Sequence, residues 1–148
     1  MPLPVSNADG DLPVGVHACL LQELLDQFGS GSAKRRVMGT RLKRVVDLVT
    51  LTKHSARIIV FGSFVSGMAE PKDVDLFLIM DDAFDLSAVS GEGRLVFDHA
   101  IAQAYFGASV FWVRQSACFP NEEEMVNGWA VKRDGSIRGI VEIIKEIT

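Results

Sequence analysis

The sequence is poor in the residues and motifs that announce several common chemistries. It has two cysteines, Cys19 and Cys118, too far apart for a disulfide framework or a thiolate metal site. No apolar run approaches the length that crosses a bilayer, so no membrane association is expected. HExxH, CxxC, GxSxG and GxxxxGKS/T are absent, and GSGS (29–32) and GEG (91–93) lack the preceding strand of a dinucleotide fingerprint. The three histidines, His17, His54 and His99, are scattered and read as structural or surface residues. Net charge is −4, which excludes bulk attraction to nucleic acid or anionic lipid. Any polyanion must therefore be held by a local patch. MPLPVSNADGDLPVGV at the start shows no basic region followed by an apolar run, the pattern of a secretory signal. Together with unpaired thiols, this sets the expectation of a cytoplasmic protein.

What is present suits one domain. With 48% hydrophobic and 23% charged residues, 148 residues can bury a sizeable core. Residues 1–14 carry three of the five prolines and read as an extended N-terminal arm; 15–148 read as a single domain. From His17, HACLLQELLDQFG places Leu21, Leu24, Leu25 and Phe28 at helical spacing, with Gly29 as the stop. A second helix is expected from Ala33 to Leu51. It has an apolar stripe and a basic first half: Lys34, Arg35, Arg36, Arg41, Lys43 and Arg44. That basic half is either a solvated face or a polyanion-facing patch beside an active site.

RIIVF (57–61) and DVDLFLIM (73–80) read as strands, RLVFDHAIAQAYFG as a helix and SVFWV (109–113) as a third strand. Asn121 and the glutamates after it are suited to start a short helix, and Asp134-Gly135 marks a turn before a closing strand, IRGIVEII. The expected class is α/β (α+β): a small mixed sheet flanked by helices.

One feature of the strand at 73–80 departs from apolar patterning. Side chains alternate along a strand, so Asp73 and Asp75 share a face. Two adjacent carboxylates are unfavourable unless a cation lies between them, and Mg²⁺ (or Mn²⁺) accepts one or two carboxylates together with phosphate oxygens. In the preceding GSFVSG, Gly62 and Gly67 let backbone approach a ligand, and Ser63 adds a hydroxyl. A helix beginning at Ser63 would present free N–H groups to an anion. The bland alternative makes the acidic pair a solvated strand start and the glycines merely a turn.

Gly62-Ser63, Gly67 and Asp73-Val74-Asp75-Leu76 resemble the signature of the polymerase-β-like nucleotidyltransferase superfamily. The resemblance implies a nucleotidyltransferase-like fold. It implies that Gly62 and Ser63 hold an NTP's triphosphate, and that Asp73 and Asp75 hold the divalent metals of nucleotidyl transfer. LPVGVH, GSFV, PKDVD, YFGASVF and RDGSIRGIVEI also resemble a small bacterial family of stand-alone nucleotidyltransferase-like proteins. Minimal members resembling this chain pair with a separate helical protein, often as toxin–antitoxin systems; self-association as a homo-oligomer is the other way to close the cleft.

The departure lies in a third carboxylate, which active members carry on a following strand. SVFWV offers Ser109 at that place and no acid. Asp81, Asp82 and Asp98 are candidate replacements, and Glu142 on the closing strand is the better one. Two functions follow. In the first, the protein moves an NMP from an NTP to a protein or RNA hydroxyl: Asp73 and Asp75 are catalytic and metal-binding, Gly62, Ser63 and Gly67 cradle phosphate, and Lys72 or the basic helix neutralises its charge. In the second, the protein is a catalytically weakened nucleotide-binding or partner-binding module.

Overall fold

The computed structural model describes residues 3–7 and 10–145. Strands β1 (Val16–Leu20), β2 (Ser55–Phe61), β3 (Val74–Met80), β4 (Ala108–Arg114) and β5 (Ile140–Ile144) form one sheet in the order β1-β5-β2-β3-β4. β1 runs parallel to β5 and β3 parallel to β4, while β2 is antiparallel to both β3 and β5. Helices α1 (Leu21–Phe28), α2 (Ala33–Leu51), α3 (Glu92–Leu95), α4 (His99–Phe106) and α5 (Glu122–Gly128) complete the described elements. The class is mixed α/β. Among the described residues, no helix is long and apolar enough to cross a membrane.

The sheet separates two apolar layers. Met38, Leu42, Val45 and Val49 of α2 pack on the face carrying Val60, Leu76 and Leu78. The other face carries Ile59, Phe77, Ile79 and Ile140 and is covered by Val126 and Ala130 from the α5 region. β3 is thus buried on both faces, which explains its near-continuous apolar run. Asp75 is the one charged residue within it.

Three expected elements are corrected. The helix expected from His17 begins at Leu21, because 16–20 are drawn out as β1 by parallel pairing with β5. Glu23 then accepts from the Leu20 amide at 2.9 Å and starts the helix there. Tertiary pairing overrides the local helical period. The helix expected over 94–107 is broken at 96–98, where Asp98 accepts from the Ile101 amide at 3.1 Å and caps a new helix, α4. The helix expected at Ser63 is a 3-10 turn of three residues, Ser63–Val65, too short to supply an aligned row of amides.

In the N-terminal arm, the described residues have no helix or strand beyond an isolated bridge between Asp11 and Ser66. They nevertheless lie against the domain. Leu12 is fully buried, its carbonyl accepts from Gly139, and Gly10 accepts from the Gly67 amide.

Arg35 is buried rather than solvated, unlike its exposed neighbours Lys34 and Arg36. Its guanidinium donates to the carbonyls of Phe28 (3.1 Å), Phe64 (2.8 Å), Ser66 (2.8 Å) and Met68. It therefore ties the end of α1 and the turn after β2 to α2. Removing it strands carbonyls that are shielded from water. Arg35→Met is expected to cost about 3 kcal/mol, a thermal midpoint roughly 10 °C lower. Arg35→Lys should also be destabilised, since one ammonium cannot span four separate carbonyls. Arg36→Met should stay within about 0.5 kcal/mol of wild type. Equal loss from both methionine variants in denaturant titrations would contradict this account.

Candidate functional site

The site is built on one row of the sheet. Asp75 on β3 is paired with Phe61 on β2 and with Ser109 on β4. Ser109 stands beside Asp75 where a third acid was sought, and it is buried. Its hydroxyl favours the charged form of the Asp75 carboxylate. Burial pushes the Asp75 carboxyl up to about 6, and the nearby Asp73 carboxylate adds to the rise. Arg138 and the Ser109 hydroxyl oppose it. A half-buried carboxylate of this kind lacks sufficient counter-charge.

The turn after β2 closes over the same carboxylate. Gly62 has φ +85°, in the region that L side chains avoid. A Cβ at that position would overlap Asp75 Oδ2, so only glycine lets the turn pass so close. Ser63 follows at the start of the 3-10 turn and is half-buried.

A cavity of about 480 Å³ opens above this row. Its floor includes Gly62, Asp75 and Ser109, and one wall is aromatic, with Phe61, Phe111 and Trp129. The opposite side is a hairpin-like loop between α5 and β5. Val131 bridges to Ile137, Lys132 donates to Ser136 at 2.8 Å, and Gly135 takes φ +87°. This loop brings Lys132, Arg133 and Arg138 to the cavity. Asp11 from the arm, itself buried, lies 3.0 Å from Lys132 Nζ and 3.8 Å from Arg138 Nη1.

The other residues singled out in the sequence fall elsewhere. Lys72 is exposed and does not line the cavity, and none of the basic residues of α2 reaches it. The Gly67 amide donates to Gly10, so its close approach is to the arm. Glu142 lies on the Asp75 face of the sheet but opposite Ile59, and Ile59 pairs with Phe77, two residues beyond Asp75. Its carboxylate is held in a fork by Arg57 Nε (3.1 Å) and Nη2 (2.7 Å). Asp81 faces His54, Asp82 accepts from Ser116, and Asp98 caps α4. Among the described residues, no group of three His, Cys, Asp or Glu side chains is placed to hold a metal.

Sequence reading missed the cations of the hairpin and His99, which also lines the cavity. KRDGSIR was legible as turn chemistry, and three cations within seven residues beside a closing strand was the available signal.

The chain belongs to a family of unknown function, DUF6932, whose model matches residues 4–144. No curated protein and no solved structure matches it.

Two outcomes follow from the geometry. The folded Asp75 retains its proton where the unfolded side chain, with the ordinary value of 3.8, has lost it. Its contribution to stability is therefore full below about pH 4 and declines as pH rises through about 6. The stability of Asp75→Asn relative to wild type should accordingly grow between those pH values and level off above them. A pH-independent difference in thermal midpoints would contradict the assigned burial. Gly62→Ala should cost about 2 kcal/mol or more, and part of that loss should disappear in an Asp75→Ala background, as read by a double-mutant cycle. Strict additivity would show that the two residues do not press on each other.

Proposed function

We propose that the chain is a metal-dependent nucleotidyltransferase-like protein, which binds an NTP in the Asp75 cavity and transfers its NMP to a protein or RNA hydroxyl. The observation that carries the reading is Asp75, its carboxyl raised by burial and by the nearby Asp73, lining one cavity with Lys132, Arg133 and Arg138. An acidic floor alone would suit a cation and a basic wall alone an anion; both together suit a phosphate that arrives with a metal.

The donor set fits Mg²⁺ or Mn²⁺. Two carboxylates and a neighbouring hydroxyl are hard oxygen ligands, and the raised Asp75 carboxyl is the mark of a pair that a divalent cation would relieve. Such an ion, when bound, screens phosphate charge and polarises the phosphorus under attack. The chain's own groups do the rest. The hairpin cations hold the phosphate oxygens and Gly62 lets backbone approach them; Ser63, next in the turn, does not line the cavity. The free cysteines Cys19 and Cys118 agree with a reducing, cytoplasmic setting.

A second reading is favoured by one observation. Ser109, a neutral residue, occupies the strand position next to Asp75, and Glu142 is held by Arg57. Nothing in this row is placed to serve a second metal that activates the attacking hydroxyl. The site would then bind nucleotide without turnover, as a nucleotide-binding module or one half of a toxin–antitoxin-like pair with a helical partner.

Thermal unfolding with each NTP, with and without Mg²⁺, tests the shared premise. A ligand at about a hundred times its Kd should raise the midpoint by roughly 5–10 °C. An Asp73→Asn/Asp75→Asn variant, read against its own ligand-free midpoint, should show no such rise. Pyrophosphate release that Asp75→Asn abolishes supports transfer; a Mg²⁺-dependent rise without release supports the binding module. No rise with any nucleotide would sink both.

A further inference from the structure

We infer that the aromatic wall of the Asp75 cavity is a seat for the nucleobase, with Phe111 as the ring on which it stacks. This rests on the nucleotide reading and adds to it the part of the ligand that carbon and nitrogen, rather than phosphate, would fill.

Phe111 lies two residues after Ser109 on β4, so both point to the same face, and it pairs with Phe77 in the row next to Asp75. Its ring is surrounded by others: His99 at 4.5 Å, Trp129 at 4.9 Å and Phe61 at 6.5 Å between centroids. Trp129 is backed in turn by Phe77 at 5.0 Å. His99 Nδ1 lies 3.2 Å from the Val110 carbonyl, an acceptor only, so it donates there and the imidazole is held in place. These contacts fix the Phe111 ring. Yet 36% of the residue remains exposed, and the residue lines the cavity.

A rigid, part-exposed aromatic ring in a concave site is a stacking platform for a flat ring, and it tolerates any base because each has a π-face. The cavity supplies the rest of a nucleotide's requirements within the same volume. Asp75 and the cations of the hairpin lie on its other sides, and about 480 Å³ is within the range of small-molecule sites. An acidic or basic peptide would match the charges without needing the ring cluster. A planar, phosphorylated ligand matches all three features.

Isothermal titration in Mg²⁺ of the whole chain with ATP, GTP, CTP, UTP and inorganic tripolyphosphate tests this. At least one NTP should bind about tenfold more tightly than tripolyphosphate. Phe111→Leu, which keeps apolar volume and removes the ring, should bring that NTP down to the tripolyphosphate level while leaving tripolyphosphate unchanged. Equal affinity for all five ligands, or an NTP preference untouched by Phe111→Leu, would overturn the base seat and leave the phosphate reading standing. Binding of none of them would overturn both. If Phe111→Leu loses tripolyphosphate as well, Phe111→Tyr decides: preference kept with a ring present supports the seat, and preference lost overturns it.

Discussion

The arrangement depends on a buried cation that touches no part of the cavity. Arg35 sits among apolar side chains and is tolerated there because its guanidinium meets backbone carbonyls from the end of α1 and from the turn after β2. That turn has little regular structure of its own, three residues of 3-10 helix. Without a fixed donor behind it, nothing local would specify its path. With Arg35 in place, Gly62 is pressed over Asp75 and Gly67 is delivered to Gly10 of the arm. One side chain on α2 therefore sets both the roof of the carboxylate and the docking of the N-terminal segment.

Charge within the cleft is of both signs. Asp75 feels Asp73 and, in opposition, Arg138, while Asp11 lies against both Lys132 and Arg138. Asp75 shares the cavity with Lys132, Arg133 and Arg138, and Asp11 already engages two of these bases. With two of its bases engaged by Asp11, the hairpin has a reduced attraction for a bare polyanion. Under the proposed reading, this is why a phosphate ligand there would arrive with a divalent cation.

Legibility followed the range of the interactions. The extents of β2, β3, β4 and α2 were read to within one or two residues, because hydrophobic period and Ser/Gly punctuation are local signals. The resemblance implied that Ser109 stands beside Asp75, and the parallel pairing of β3 with β4 places it there. β1 was not legible: its five residues are extended only because β5, more than a hundred residues later, pairs with them. Nor could sequence separate Arg35 from Lys34 and Arg36. All three look alike in a basic helix, and only the packing of α2 on the turn turns one of them inward.

By itself the sequence determined the mixed α/β class, the strand that carries Asp75 with Asp73 just ahead of it, and the glycine turn before them, because each follows from side-chain period or backbone sterics within a few residues. Only the tertiary structure decided which charges share the cavity. It set Glu142 against Arg57, drew Asp11 to Lys132, and brought the 132–138 hairpin and Phe111 to Asp75. Electrostatic and ring contacts act through space over a few ångströms, and the separations along the chain that they join leave no trace in local pattern.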